Sequence, residues 1–130
     1  MDREEEQITK NIIEYKNLLQ TIWKEGVGII GEPALRFIFD ASIRKVSCLF
    51  EFIKYIRINA NRIYFTELDK NNVSKESKEE IEKGLQTLVS EILTSFNILW
   101  NDIIIEHLLS HIFKDKKDFY EFASYNNIWR

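Results

Sequence analysis

The sequence predicts an all-α fold of five or six helices, arranged as two helical hairpins in a bundle, with room for one short strand near residues 62–66. Three observations lead to this prediction. Apolar residues recur at helical spacing along most of the chain, and residues 74–113 hold the longest such pattern. Glycine and proline, which break helices, number only four and one, and most of them fall between residues 26 and 33. We therefore expect long helices with a boundary in that short segment.

The segment 74–113 begins with a helix start signal. Ser77 is followed three residues later by Glu80, which is the order of a capping box. The apolar residues that follow at steps of three and four are Ile81, Leu85, Leu88, Ile92, Phe96 and Leu99. Asn101 and Asp102 then interrupt the pattern before it resumes. We predict a long helix, a break at residues 100–102, and a further helix capped by Asp102.

Two helices are predicted before this segment. The first covers residues 3–25, and the apolar residues on one of its faces are Ile8, Ile12, Tyr15, Leu19, Ile22 and Trp23. The three glycines between residues 26 and 31 are expected to end it. Pro33 suits the first turn of the next helix, which we predict over residues 33–45.

Residues 46–68 permit two interpretations. Residues 46–57 fit a helical pattern, whereas residues 62–66 are good strand formers. Either the whole segment stays helical, or a strand forms and pairs with another edge, which a second copy of the chain could supply.

The length of 130 residues and the 45% of apolar residues predict one globular domain, residues 1–130. No apolar run reaches the roughly 18 residues that a membrane-spanning helix needs. Residues 15–45 and 81–115 resemble each other, since both contain a Leu-Gln-Thr sequence followed by an aliphatic residue. The resemblance indicates either two related hairpins or a chance match in a helical, isoleucine-rich chain.

Composition also bears on the partners of the chain. A net charge of −3 argues against nucleic-acid binding, which depends on neutralising phosphates. The basic side chains of residues 36–62 are interleaved with the aromatic residues Phe37, Phe52, Tyr55 and Tyr64. Such a set could contact single-stranded nucleic acid or an acidic partner. A solvated helix face, with these four aromatic residues in the core, fits the acidic surroundings better. The N-terminal residues are charged, so we do not expect them to be a secretory signal. The single cysteine, Cys48, fits a reducing cytoplasm. Its apolar neighbours predict that it packs in the core.

His107 and His111 are the only histidines, and their spacing places them on one face of a helix. They are the candidate metal ligands, but the His-Glu-x-x-His order is absent and no further Cys or His motif completes a site. We therefore predict no metal and no cofactor. Because no catalytic arrangement stands out either, we expect a protein that is not an enzyme.

The C-terminal tail, residues 117–130, is dense in aromatic side chains, which are typical interface anchors. The predicted partner-binding residues are Phe119, Tyr120, Phe122, Tyr125 and Trp129. The sequence thus favours a cytoplasmic protein-interaction module, either a dimerising regulatory or sensory domain or an adaptor. The alternatives are a helical domain with a small-ligand or metal site between its hairpins, and a virus-encoded helical bundle that binds a host protein.

Overall fold

The computed structural model describes residues 3–59, 62–65 and 75–99. In chain order the elements are helix α1 (Arg3–Ile30), helix α2 (Glu32–Ser47), a 3-10 helix (Glu51–Tyr55), strand β1 (Arg57–Asn59), strand β2 (Arg62–Tyr64) and helix α3 (Lys75–Leu99). The protein is mostly helical, as predicted, but the count of five or six helices is wrong, because the described residues form three α-helices and a two-stranded sheet. The predicted break at residues 100–102 and the second half of the internal repeat lie outside the described residues.

Helix α1 does not end at its first glycine. It continues through Gly26 and Gly28 to Ile30, and the chain breaks only at Gly31, where φ is 86°. Gly26 is buried against α2, since a Cβ atom there would lie 2.9 Å from the methyl carbons of Leu35. A glycine inside a helix costs about 1 kcal/mol relative to alanine. The close approach of the buried Leu35 side chain offsets this cost, which explains why the predicted end of the helix is wrong.

Helix α2 has Pro33 in its first turn, which confirms that prediction. The predicted helical continuation through residues 46–57 is wrong. The N–H groups of Leu49 and Phe50 both donate to the carbonyl oxygen of Val46, each at 2.9 Å, and this tight turn ends α2. The 3-10 helix and the hairpin follow it.

Strands β1 and β2 pair with each other in antiparallel orientation, with Ile58 opposite Ile63. Side chains from the helices hold the outer edges of both strands. The Nε2 atom of Gln20 donates to the Ile63 carbonyl oxygen at 2.6 Å, and the Ile63 N–H donates back to Gln20 Oε1 at 3.2 Å. Arg36 Nη1 donates to the Ile58 carbonyl oxygen at 3.3 Å. The predicted strand therefore finds its partner inside the chain, and the expectation that a second copy pairs with it is wrong.

Gln20→Ala is expected to lower the free energy of unfolding by about 1–2 kcal/mol, because the N–H and C=O groups of Ile63 lose their partners in a partly buried place. Gln7→Ala is the matched control, since the Gln7 side chain donates to Asn11 on the exposed surface of α1. We expect its effect to stay within about 0.5 kcal/mol. Urea denaturation followed by far-UV circular dichroism measures both. Equal effects of the two substitutions would mean that Gln20 does not hold the hairpin.

Helix α3 packs against both α1 and α2. Lys78 Nζ lies 3.3 Å from Glu5 Oε1, and Asn11 Nδ2 donates to Glu82 Oε2 at 2.9 Å, so α1 and α3 run in the same direction. Among residues 78–95 of α3, the buried apolar side chains are Ile81, Leu85, Leu88, Val89, Ile92 and Leu93. The predicted face is confirmed for four of these, and Val89 and Leu93 widen it because two helices cover α3. Since α3 already includes Lys75, Ser77 lies inside the helix and the predicted start at Ser77 is wrong.

Candidate interaction surface

One side of α2 faces the core. Its buried positions recur at steps of one, three and four, and they are Leu35, Ile38, Phe39, Ser42 and Val46. The opposite side of the same helix is exposed. The residues on it are Pro33, Phe37, Asp40, Ala41 and Arg44, together with Cys48, which follows the last helical residue. We call these six residues the outer face of α2.

The outer face of α2 carries a large apolar side chain in contact with solvent. Phe37 is 70% exposed, and Leu49, which lies just beyond the end of the helix, is 74% exposed. Ile13 on α1, by comparison, is 52% exposed. Single exposed apolar residues are ordinary in proteins. Phe37 differs because Pro33 and Ala41 stand one helical turn to either side of it, so that the three form an apolar stripe.

Two charged side chains flank this stripe. Asp40 and Arg44 stand four residues apart, a spacing at which helical side chains can form an ion pair. Arg36 and Glu32 have the same spacing and do pair, with 3.0 Å between Nη2 and Oε1. Among the described residues, no ion pair or hydrogen bond engages the side chain of Asp40 or that of Arg44. Both charges are thus available to another molecule.

Each of the other basic side chains of residues 36–62 has a contact within the chain. Three of them form ion pairs, namely Arg36 with Glu32, Lys45 with Glu91 and Lys54 with Glu51. Arg57 donates to the carbonyl oxygen of Lys54, and Arg62 lies over the ring of Tyr64 at 5.6 Å. Three of these five cations are thus paired with carboxylates, which lowers the net positive charge of the segment. That the segment does not bind nucleic acid stays a prediction.

The exposed pair of Glu51 and Lys54 shifts the titration of both groups. The hydrogen bond and charge of Lys54 hold the pKa of the Glu51 carboxyl below its ordinary value, and Glu51 raises the pKa of Lys54. The contribution of Glu51 to stability is therefore present above its ordinary pKa and is lost as the pH falls through its lowered pKa in the folded protein. Solvent screens the pair, so its contribution is small.

Two predictions about this region are wrong. Phe37, Tyr55 and Tyr64 were expected in the core, and all three are exposed. Phe52, in contrast, packs closely on another element, since its ring lies over Gly84 of α3. Cys48 is also exposed, because the chain turns out of α2 at this residue. Its Sγ atom donates to the carbonyl oxygen of Arg44 at 3.6 Å.

Two buried polar atoms, one on α1 and one on α2, lack a hydrogen-bond partner among the described residues. These are Trp23 Nε1 and Ser42 Oγ, which have no hydrogen bond within the described part of the chain. The Trp23 ring meets the Phe39 ring edge to face, with 5.2 Å between their centroids, and the Arg36 guanidinium lies 5.7 Å from the Trp23 ring. A buried polar group without a partner costs about 1–3 kcal/mol, so such atoms are uncommon in folded proteins.

The remaining candidates of the sequence lie outside the described residues. They are His107, His111 and the five aromatic residues of the C-terminal tail, so the histidine pair and the partner-binding tail stay predictions. Within residues 3–59, 62–65 and 75–99, no three side chains of His, Cys, Asp or Glu are grouped as metal ligands. None of the helices in this described part is long and apolar enough to cross a membrane.

The outer face of α2 is a candidate interaction surface that was not predicted from the sequence. It combines an exposed aromatic ring, small apolar neighbours and two charges of opposite sign that have no ion-pair partner among the described residues. No protein-family model, curated protein or solved structure matches this chain.

Proposed function

We propose that this protein is a non-enzymatic interaction module that dimerises and serves as a regulatory, sensory or adaptor domain. The observation that supports the proposal is the exposure of Phe37 on a helix whose other side is packed in the core. Burying a phenylalanine side chain is worth about 1.5–3 kcal/mol, so a partner that covers Phe37 gains binding free energy from it. Aromatic side chains of this kind commonly anchor protein interfaces.

A homodimer is the simplest assembly that uses such a surface, since twofold symmetric dimers are the commonest oligomers. We propose that the aromatic tail, including Phe122 and Trp129, binds a second protein and gives the adaptor its other contact. We also propose a cytoplasmic location, which the exposed thiol of Cys48 supports because free thiols persist in reducing compartments.

Light scattering coupled to size-exclusion chromatography tests the proposed dimer on the full chain. We expect a molar mass of twice the chain mass of 15.6 kDa at high micromolar concentration, with a shift towards the single-chain mass on dilution. Buffers with low and high salt separate the apolar from the charged contribution, because salt screens exposed charges. A chain that stays monomeric at all concentrations would contradict the proposal.

A small-ligand-binding domain is the second candidate, and one observation favours it. Trp23 Nε1 and Ser42 Oγ are buried polar atoms without partners in the described part of the chain, and a small polar molecule could bond to them. A monomeric chain whose melting temperature rises with such a molecule would favour this function. The rise should disappear in Ser42→Ala, which removes one of the two bonding atoms.

A further inference from the structure

We infer that the outer face of α2 binds the same face of a second copy of this chain, with the two helices antiparallel. The inference rests on the proposed function and names the partner and the contact residues. A twofold interface uses the same surface on both copies, so that if residue i of one copy contacts residue j of the other, residue j of the first copy also contacts residue i of the second. The outer face of α2 satisfies that requirement in charge and in shape.

The charges set the orientation. In an antiparallel pair crossing near residue 42, Asp40 of each copy lies opposite Arg44 of the other. Two symmetric ion pairs then form between four side chains that have no such partner within the described part of one chain. A parallel pair would bring Asp40 against Asp40 and Arg44 against Arg44, and like charges in contact cost free energy.

The apolar side chains suit the same crossing. Ala41 lies beside the crossing point, where a small side chain lets two helices approach closely. Phe37 precedes Asp40 by three residues and Cys48 follows Arg44 by four, so Phe37 of one copy lies beside Cys48 of the other. Both are exposed in the single chain, and each covers the other in the pair.

The hairpin offers no comparable site for a second copy. Strand edges are the usual place for pairing between chains, but here the N–H and C=O groups of Ile63 are bonded to Gln20, and the C=O group of Ile58 is bonded to Arg36. The exposed Ile13 on α1 has the charged or polar neighbours Glu14 and Lys10 beside it on the surface. The outer face of α2 is therefore the surface that we expect two copies to share.

Disulfide cross-linking tests the contact directly. Ala41→Cys combined with Cys48→Ser places one thiol next to the proposed twofold axis, and mild oxidation of the full chain should yield a covalent dimer. Asn17→Cys with Cys48→Ser is the matched control, because residue 17 is exposed on α1 away from α2. We expect little covalent dimer from the control. Equal yields from the two variants would overturn the inference.

The native cysteine tests the orientation. In the antiparallel pair the two Cys48 residues stand about 18 Å apart along the helix axis, given a rise of about 1.5 Å per residue. A disulfide needs Cα atoms within about 7 Å of each other. The wild-type chain should therefore resist cross-linking under the conditions that link the Ala41→Cys variant. Efficient linkage through Cys48 would contradict the antiparallel arrangement.

Light scattering separates the failure of this inference from the failure of the proposed function. Phe37→Glu should shift the molar mass from twice to once 15.6 kDa, whereas Ile13→Glu should leave the dimer mass unchanged. Neither substitution alters a buried side chain, so both variants should keep the circular dichroism spectrum of the wild type. A wild-type dimer that persists in Phe37→Glu would overturn this contact but leave dimerisation standing. A monomeric wild type would overturn both.

Discussion

Replacement of Trp23 by alanine is expected to lower the free energy of unfolding by about 3–5 kcal/mol. Trp23 is fully buried on α1, its ring meets Phe39 of α2 edge to face at 5.2 Å, and Arg36 covers it from another side. The substitution removes the largest fully buried side chain among the described residues and leaves a cavity between two helices. Because small domains have only about 5–15 kcal/mol of stability in total, a large share of it should be lost.

Trp23→Phe is the control for this prediction. It keeps an aromatic ring against Phe39 and removes the Nε1–H group, which has no partner among the described residues. We expect a loss of no more than about 1.5 kcal/mol, since the lost volume is partly offset by removal of the unsatisfied donor. Urea denaturation should be followed by far-UV circular dichroism, because the sequence holds three tryptophans and Trp23 fluorescence is not separable. An unchanged urea midpoint in Trp23→Ala would contradict the described core.

Replacement of Gly84 by valine is expected to cost about 3 kcal/mol, towards the upper end of the range for overpacking. A Cβ atom at Gly84 would lie 2.8 Å from Cε1 of Phe52 and 3.2 Å from Cγ of Phe50. The two rings also contact each other at an interplanar angle of 66°, so neither can move without disturbing the other. The methyl groups of valine would push this segment away from α3.

Gly28 provides the matched control for Gly84, since both are glycines inside helices. Apart from its chain neighbours and the nearby backbone of α1, no atom of the described residues lies within 4 Å of a Cβ built on Gly28. Glycine and valine are both poor helix formers, so Gly28→Val should change the free energy of unfolding by no more than about 0.5 kcal/mol. If the two valine variants unfold at the same urea concentration, Phe50 and Phe52 do not pack on α3 as described.

The helical parts of the fold could be predicted because their signal is local. Leu85, Leu88 and Ile92 recur at the helical period, and the same periodicity identified Ile12, Leu19 and Trp23 on α1. The predicted end of α1 at Gly26 was wrong because the contact between Gly26 and Leu35 of the next helix outweighs the low helix propensity of glycine.

The hairpin could not be predicted for a related reason. Its strands have three residues each, and its outer edges are bonded by Gln20 and Arg36 from helices far away in the sequence. No pattern within residues 57–65 reveals those partners. Short strands held by distant side chains are where local propensity carries least information.

The outer face of α2 did leave a signal in the sequence. When residues 32–47 are placed on a helical wheel, Phe37 falls on the side opposite Leu35, Ile38 and Phe39. Helical spacing alone therefore separates Phe37 from the core residues. Its assignment to the core followed from its aromatic character rather than from its position. The predictions for His107, His111 and the aromatic tail concern residues outside the described part, and they stay predictions.

Hydroxyl-radical footprinting at low and high protein concentration tests most directly whether the outer face of α2 is a self-association surface. In dilute solution Phe37 should be readily oxidised and the buried Phe39 should be protected. At high concentration we expect the oxidation of Phe37 to fall, while that of Ile13 and Tyr64, which lie on other exposed surfaces, stays constant. Oxidation of Phe37 that does not change with concentration, in a sample that light scattering shows to be dimeric, would contradict the interface on α2.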